Sequence, residues 1–344
     1  MGFDLKPWEG SLHVIKSSSN NPQKGRGSLD ASRKYCSQWF FPYPWKELKL
    51  SEFPNLATYA QGFPTNIPFS EGVGFLTANT PEIHFAFEIT AHEAAHQWWG
   101  NILAPGKGPG ENILAEGMAH FSTILLVDQA KGPGARIDFC KRLEANYARS
   151  RRPDSERPPV KIDGSRSGDT TVMYDKEGWV FWMLLNQMGR DPALHGLQSF
   201  ITTYHGNPDH PVLQDFLEVM RRFAPDSAAF DQFAKQWFHE MVLPEYRLHE
   251  PRKSLEGDVW NVSIRLENAG SGTMPVEVAA KRGERFHKTG QPSAEYHEAR
   301  AGAILGKGQS QDLTTTCPFE PKSIVVDPDA RVLQLQRNNA FVKF

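Results

Sequence analysis

The chain has 344 residues, 39% of them hydrophobic and 23% charged, with a formal net charge of -2. This is a globular balance with material for two or three domains, and the lack of any like-charge block argues against nucleic acid or an anionic membrane as the main partner. The longest strongly apolar run, 179–185, is far too short to cross a bilayer, the N-terminus lacks the apolar core of a signal peptide, and Cys36, Cys140 and Cys317 are too few and too scattered for a disulfide framework.

In chain order, Leu12 to Ile15 alternate and read as extended, and 17–28 are polar and read as a loop. Asp30 caps a helix through Trp39, and Pro42 and Pro44 stop it. Glu47 to Leu50 read as a strand. Gly62, Pro64 and Pro68 make 59–68 a loop. The glycines of 70–76 permit close backbone approach, and strand is the expected state there. Glu71 beside such a strand could meet a bound peptide, or be a solvated loop carboxylate. Thr80-Pro81 starts a helix that runs to about Trp99, where Gly100 ends it.

That helix carries His92-Glu93-Ala94-Ala95-His96. Residues four apart stack one turn apart on one face, so His92 and His96 can share a tetrahedral zinc with Glu93 beside it. Phe85, Ile89, His92, His96 and Trp99 fall on one stripe, which is expected to be the buried face. By composition the pattern arises by accident in about one in a hundred chains of this length, so a third ligand is required. The Gly/Pro-rich loop 104–110 is followed by a helix from about Asn112 to Gln129. A short antiparallel return sets that helix against the first. Glu116, a carboxylate in an apolar stretch, is the candidate third ligand. Glu111 is a weaker alternative, and His120 shares the Glu116 face as a supporting or core residue.

Residues 136–148 are helical and 151–169 form a long surface loop. Tyr174 opens an apolar helix through Met188, and further helices are expected at 192–204, 211–222 and 228–240. Composition shifts after Pro244. Residues 245–257 read as a charged, irregular boundary. From Trp260 the period becomes two, through Val262, Ile264 and Leu266, as in a small all-β sandwich.

Together these residues resemble the zinc aminopeptidase family that contains aminopeptidase N, within the gluzincins. His92, Glu93, His96 and the following 97–101 match its motif. Leu114-Ala115-Glu116-Gly117-Met118-Ala119 matches its second segment, with 19 intervening residues where the family has eighteen. The extra residue is expected in the Gly/Pro loop. Tyr174-Asp175-Lys176 matches the family's tyrosine segment, with Glu177-Gly178 where Gly and a small residue are usual. Residues 69–75 align with a degraded form of its substrate-binding Gly-Ala-Met-Glu-Asn segment. Glu71 is kept there, and Gly72 replaces Asn.

The resemblance implies an α+β fold: a largely helical thermolysin-like catalytic domain with a small mixed sheet over 1–248 (sheet-rich to about 78, helical from 79), then a β-sandwich over 258–344. It implies one zinc per chain on His92, His96 and Glu116, Glu93 as general base and Tyr174 as oxyanion donor. Glu71, Gly72 and Gly74 would hold a peptide substrate by its amine and backbone. The family's large N-terminal β domain has no counterpart here, so a less restricted endopeptidase is an alternative, as is a non-catalytic peptide-binding module. Degraded segments of this type resemble bacterial members attached to membrane transport proteins, which would make the chain a soluble portion of something larger. The compartment is not fixed.

Overall fold

The computed structural model describes residues 8–15, 23–74, 84–108, 110–287 and 290–344. Strands β1 (Ser11–Ile15), β2 (Glu47–Phe53) and β3 (Asn66–Ser70) pair in parallel in that order. Helix α1 (Gln23–Trp39) crosses between the first two. It begins seven residues before the expected cap at Asp30. The reason is tertiary: the Ser28 hydroxyl donates to the Phe87 carbonyl at 2.9 Å and Leu29 is fully buried, which outweighs the weak helix propensity of a Ser/Gly-rich stretch.

The strand expected over 70–76 lies earlier. Ile67 and Phe69 are buried and define β3, alternating with the partly buried Asn66 and Pro68, and the chain turns helical at α2 (Glu71–Gly74). Residues 59–63, expected as loop, fold back on β3: Ser70 N–H donates to Tyr59 O, Gln61 N–H to Pro68 O, and Phe63 and Asn66 exchange both bonds. The start at Thr80-Pro81 lies outside the described residues.

Helix α3 (Phe85–Ala95) carries the motif, and regular helix stops at Ala95 with His96 as its cap. The motif stripe is fully buried only at its C-terminal end, at Trp99. Ala91, Ala94 and Ala95 are fully buried, whereas Phe85 is 36% exposed and Ile89, His92 and His96 are only partly covered. Small residues face the core so that α1 and α4 pack closely on α3, and the histidines face Glu116.

A π-helical turn (Ile113–Gly117) leads into α4 (Met118–Lys131), which is followed by α5 (Pro133–Ser150). After the loop, one turn α6 (Asp169–Thr171) and a second π-helical turn (Val172–Lys176) lead into α7 (Glu177–Met188). Helices α8 (Arg190–Tyr204), α9 (Leu213–Phe223) and α10 (Ser227–Ala234) complete the helical body. No described helix is long and apolar enough to cross a membrane.

The expected irregular boundary at 245–257 is instead strand β4 (Tyr246–Glu256), paired antiparallel to β5 (Val259–Asn268). Its charges mark an edge strand, which carries charge to resist edge-to-edge pairing, and it bulges between His249 and Arg252. Then follow β6 (Met274–Arg282), β7 (His297–Leu305), β8 (Ser310–Cys317), β9 (Ser323–Val326) and β10 (Phe341–Lys343). They form sheets of order β4-β5-β8 and β10-β9-β6-β7. Val262, Ile264 and Leu313 meet Val278, Ala280 and Ile324 across the sandwich.

Segment 327–337 joins the sandwich to the helices. Trp182 donates to Ala330 O at 3.0 Å and Arg136 to Asp329 O at 2.7 Å, while Arg337 binds both oxygens of buried Glu144. Asp327 and Ala330 adopt φ of 52° and 50°, a region that β-carbons disfavour. The contacts from α5 and α7 hold them there.

Candidate metal centre

Three helices build the site. α3 supplies His92 and His96. The two π-turns supply Glu116 and Tyr174. A π-turn takes one residue more per hydrogen-bonded ring than an α-turn, so it shifts the phase of the residues it holds; such turns recur at functional sites. Here the turns are brought together by close packing of α4 on α7. A β-carbon on Gly117 would lie 2.8 Å from Glu177 Cβ, and one on Gly178 2.7 Å from His120 Cβ.

One Glu116 oxygen, Oε2, lies 3.2 Å from His92 Nε2 and 3.4 Å from His96 Nε2. Bonds of about 2.0–2.1 Å in a tetrahedron separate donors by roughly 3.3–3.4 Å, so the donor set fits a zinc-sized ion. Among the described residues this is the one grouping of three or more such donors, all within 4.8 Å of one another. His96 Nδ1 lies 3.0 Å from Trp99 O, which fixes the tautomer that leaves Nε2 free for a ligand.

Burial pushes the Glu116 carboxyl up, but hydrogen bonds from His92 and His96 outweigh it and hold it well below the usual carboxylate range. For His96 burial works downward, and the Glu116 carboxylate more than reverses it. Glu93 is not part of the donor grouping. Burial raises its proton affinity, against the pull of the two histidines and the Gly62 backbone N–H.

Tyr174 stands beside the donors, its ring 6.0 Å from that of His92. Burial and the neighbouring Glu116 carboxylate push its phenol up, so it stays protonated. His120 is largely covered, its ring 4.4 Å from that of His92, and desolvation holds its pKa well below the usual imidazole range. Glu111 accepts from Gly108 N–H at 2.9 Å and stands outside the donor grouping. Glu71 opens α2, which packs against α3, and accepts from Asn55 N–H at 3.3 Å. A β-carbon on Gly72 would lie 2.4 Å from Asn55 Oδ1, so the place of a side chain there is taken. Gly74 ends α2.

Sequence reasoning missed the 59–65 segment. A β-carbon on Gly62 would lie 2.3 Å from the Glu93 carbonyl and 2.8 Å from His96 Cβ, so bare backbone lies directly on the motif helix. A lone glycine between two aromatics, beside two prolines, was the available signal.

A helical body with two histidines and a glutamate converging on one point defines a metallopeptidase-like protein. The peptidase family M1 domain matches residues 33–237, and the chain belongs to that family. Its fold is similar to that of a Legionella pneumophila aminopeptidase A crystallised with aspartic acid, with a TM-score of 0.60 and 16% identity. The match covers 91% of this chain and 34% of that one, so the chain spans about a third of that protein. No curated protein matches it in sequence.

Proposed function

We propose that this M1-family peptidase is a zinc-dependent aminopeptidase whose catalytic unit is the helical body. The observation that carries this reading is the shared approach of His92 Nε2 and His96 Nε2 to one Glu116 oxygen, with Glu93 adjacent in the same helix turn. When bound, zinc supplies Lewis-acid chemistry, making water nucleophilic near neutral pH and polarising the scissile carbonyl. Glu93 takes the proton of the attacking water and returns it to the leaving amine, a task suited to a carboxylate whose proton affinity is raised by burial. Tyr174, held protonated, donates to the developing oxyanion. Glu71 holds the substrate's α-ammonium and sets the register of cleavage.

A second reading, a peptidase that also accepts internal bonds, is favoured by one observation. Glu71 already accepts from Asn55, and Gly72 offers no side chain to a substrate. Peptides with free and acetylated N-termini separate the two. Cleavage lost on acetylation supports the aminopeptidase; equal cleavage of both forms removes it in favour of the broader peptidase.

A further inference from the structure

Gln97 follows the second histidine and is fully buried. Its side chain does not enter the site. It turns back to the 59–65 segment, where Oε1 accepts from Thr65 N–H at 2.9 Å and Nε2 donates to Phe63 O at 2.7 Å. One amide thus closes both ends of a tight turn. That turn needs closing: Thr65 is β-branched yet sits at φ 63°, a conformation such residues rarely adopt without outside support. Asn101 adds a third bond, donating to Gly62 O at 3.1 Å. The held face of the turn is Gly62, whose backbone lies on the Glu93 carbonyl and against His96 Cβ and directs its N–H to the Glu93 carboxylate. The two amides therefore grip, from the end of the motif helix, the segment that lies on its central glutamate.

We propose that Gln97, assisted by Asn101, is a positioning residue that fixes the Gly62 turn against Glu93 and so sets where the Glu93 carboxylate stands. This rests on the reading of Glu93 as general base. The metal donors are held separately: His96 by Trp99 O, and Glu116 by its own π-turn. Gly62 also lies against His96 Cβ, but the imidazole itself is held by Trp99 O, so loss of the grip acts on the Glu93 carboxylate and leaves the donor atoms in place.

The test compares the zinc-loaded wild type with Gln97→Met, which keeps length and loses both bonds, and with Asn101→Ala, which loses one bond at a half-buried position and keeps the fold. Bound zinc, kcat and KM on an aminoacyl-coumarin, and amide hydrogen exchange by peptide are measured for each. A core variant of the sandwich, Val278→Ala, controls for general destabilisation.

The expected result for Gln97→Met is unchanged zinc, kcat down about tenfold or more with KM within about twofold, and faster exchange confined to residues 59–66. Asn101→Ala shows the same pattern with a smaller drop, about threefold, and Gln97→Glu, which keeps the acceptor for Thr65, recovers part of the loss. Val278→Ala keeps kcat. Turnover per zinc within twofold of wild type in both amide variants overturns the proposal, as does activity lost in step with zinc, or exchange that accelerates through α3 as well. Failure of the underlying reading looks different: a wild type that binds zinc and yet has no turnover. In that event unchanged exchange at 59–66 rejects the grip itself, and faster exchange there keeps the grip while removing its catalytic consequence.

Discussion

The metal centre and the joint at 327–337 both bury charge, and they do so in opposite ways. At the joint every charge is answered by protein. Arg337 meets Glu144 at 2.7 and 2.9 Å and Asp327 at 3.2 Å, Asp327 accepts from the backbone N–H groups of Arg331 and Val332, and Gln334 N–H completes Glu144. At the centre the Glu116 carboxylate faces two histidine nitrogens, His92 Nε2 and His96 Nε2, and the three atoms form a metal-donor set. A buried charge matched by opposite charge holds a fold together, whereas a carboxylate set among imidazole nitrogens is a donor set suited to a cation. Substitutions at the two places should accordingly fail in different ways.

The largest effect is expected at Glu93. Glu93→Gln should lower kcat by up to about 10⁴-fold while zinc content and melting temperature stay at wild-type values; stopped turnover with retained metal places this residue in the chemistry. At the joint, Arg337→Ala leaves Glu144 and Asp327 buried without their cation and should cost roughly 3–5 kcal/mol of stability. Denaturant unfolding reads this directly, and kcat of the folded fraction should be unchanged. A loss of kcat at full stability would erase the contrast between the two regions. Tyr174→Phe should reduce kcat by about 100- to 1,000-fold with little change in KM, if its hydroxyl acts only on the oxyanion.

The smallest effect is expected within the helical body. Glu177 is fully buried beside the Lys176–Glu156 pair, and neither of its oxygens has a hydrogen-bond partner. Burial raises its carboxyl well above the ordinary value of 4.5, against the pull of Lys176. The folded protein therefore keeps a proton that the unfolded chain releases, and stability must fall as pH rises from 4.5 toward the raised folded value. Between about pH 5 and pH 7 this amounts to roughly 2 kcal/mol. Glu177→Gln should remove that slope, and urea melts at the two pH values check it. An unchanged slope would show that other groups set it.

What was legible in the sequence is what covalent spacing enforces. Four residues bring His92 and His96 together on any helix, so the structure needed only to supply the helix. Glu116 was legible because a carboxylate in an apolar stretch asks for a partner. The direction of the histidine stripe was not legible, because apolar periodicity does not distinguish a core from a site, and it was the alanines that faced inward. The π-turns under Glu116 and Tyr174 leave no mark in composition; they are imposed where α4 and α7 close at Gly117 and Gly178. β4 was hidden by the charges that suit an edge strand. The helix over 23–29 depends on a bond from Ser28 to a residue 59 positions away. The Gly62 turn and its hold by Gln97 and Asn101 were hidden for the same reason, since each bond spans more than thirty residues.

The proposed function stands on one zinc held by His92, His96 and Glu116, on which peptide hydrolysis depends. The most direct test measures zinc content and hydrolysis of a panel of aminoacyl-coumarins on the same purified sample, before and after chelation and after zinc is returned. Close to one zinc per chain is expected, with turnover abolished by the chelator and restored with the metal, and loss of both in Glu116→Ala. Turnover that persists in the metal-free protein, or stoichiometric zinc retained in Glu116→Ala, would contradict it.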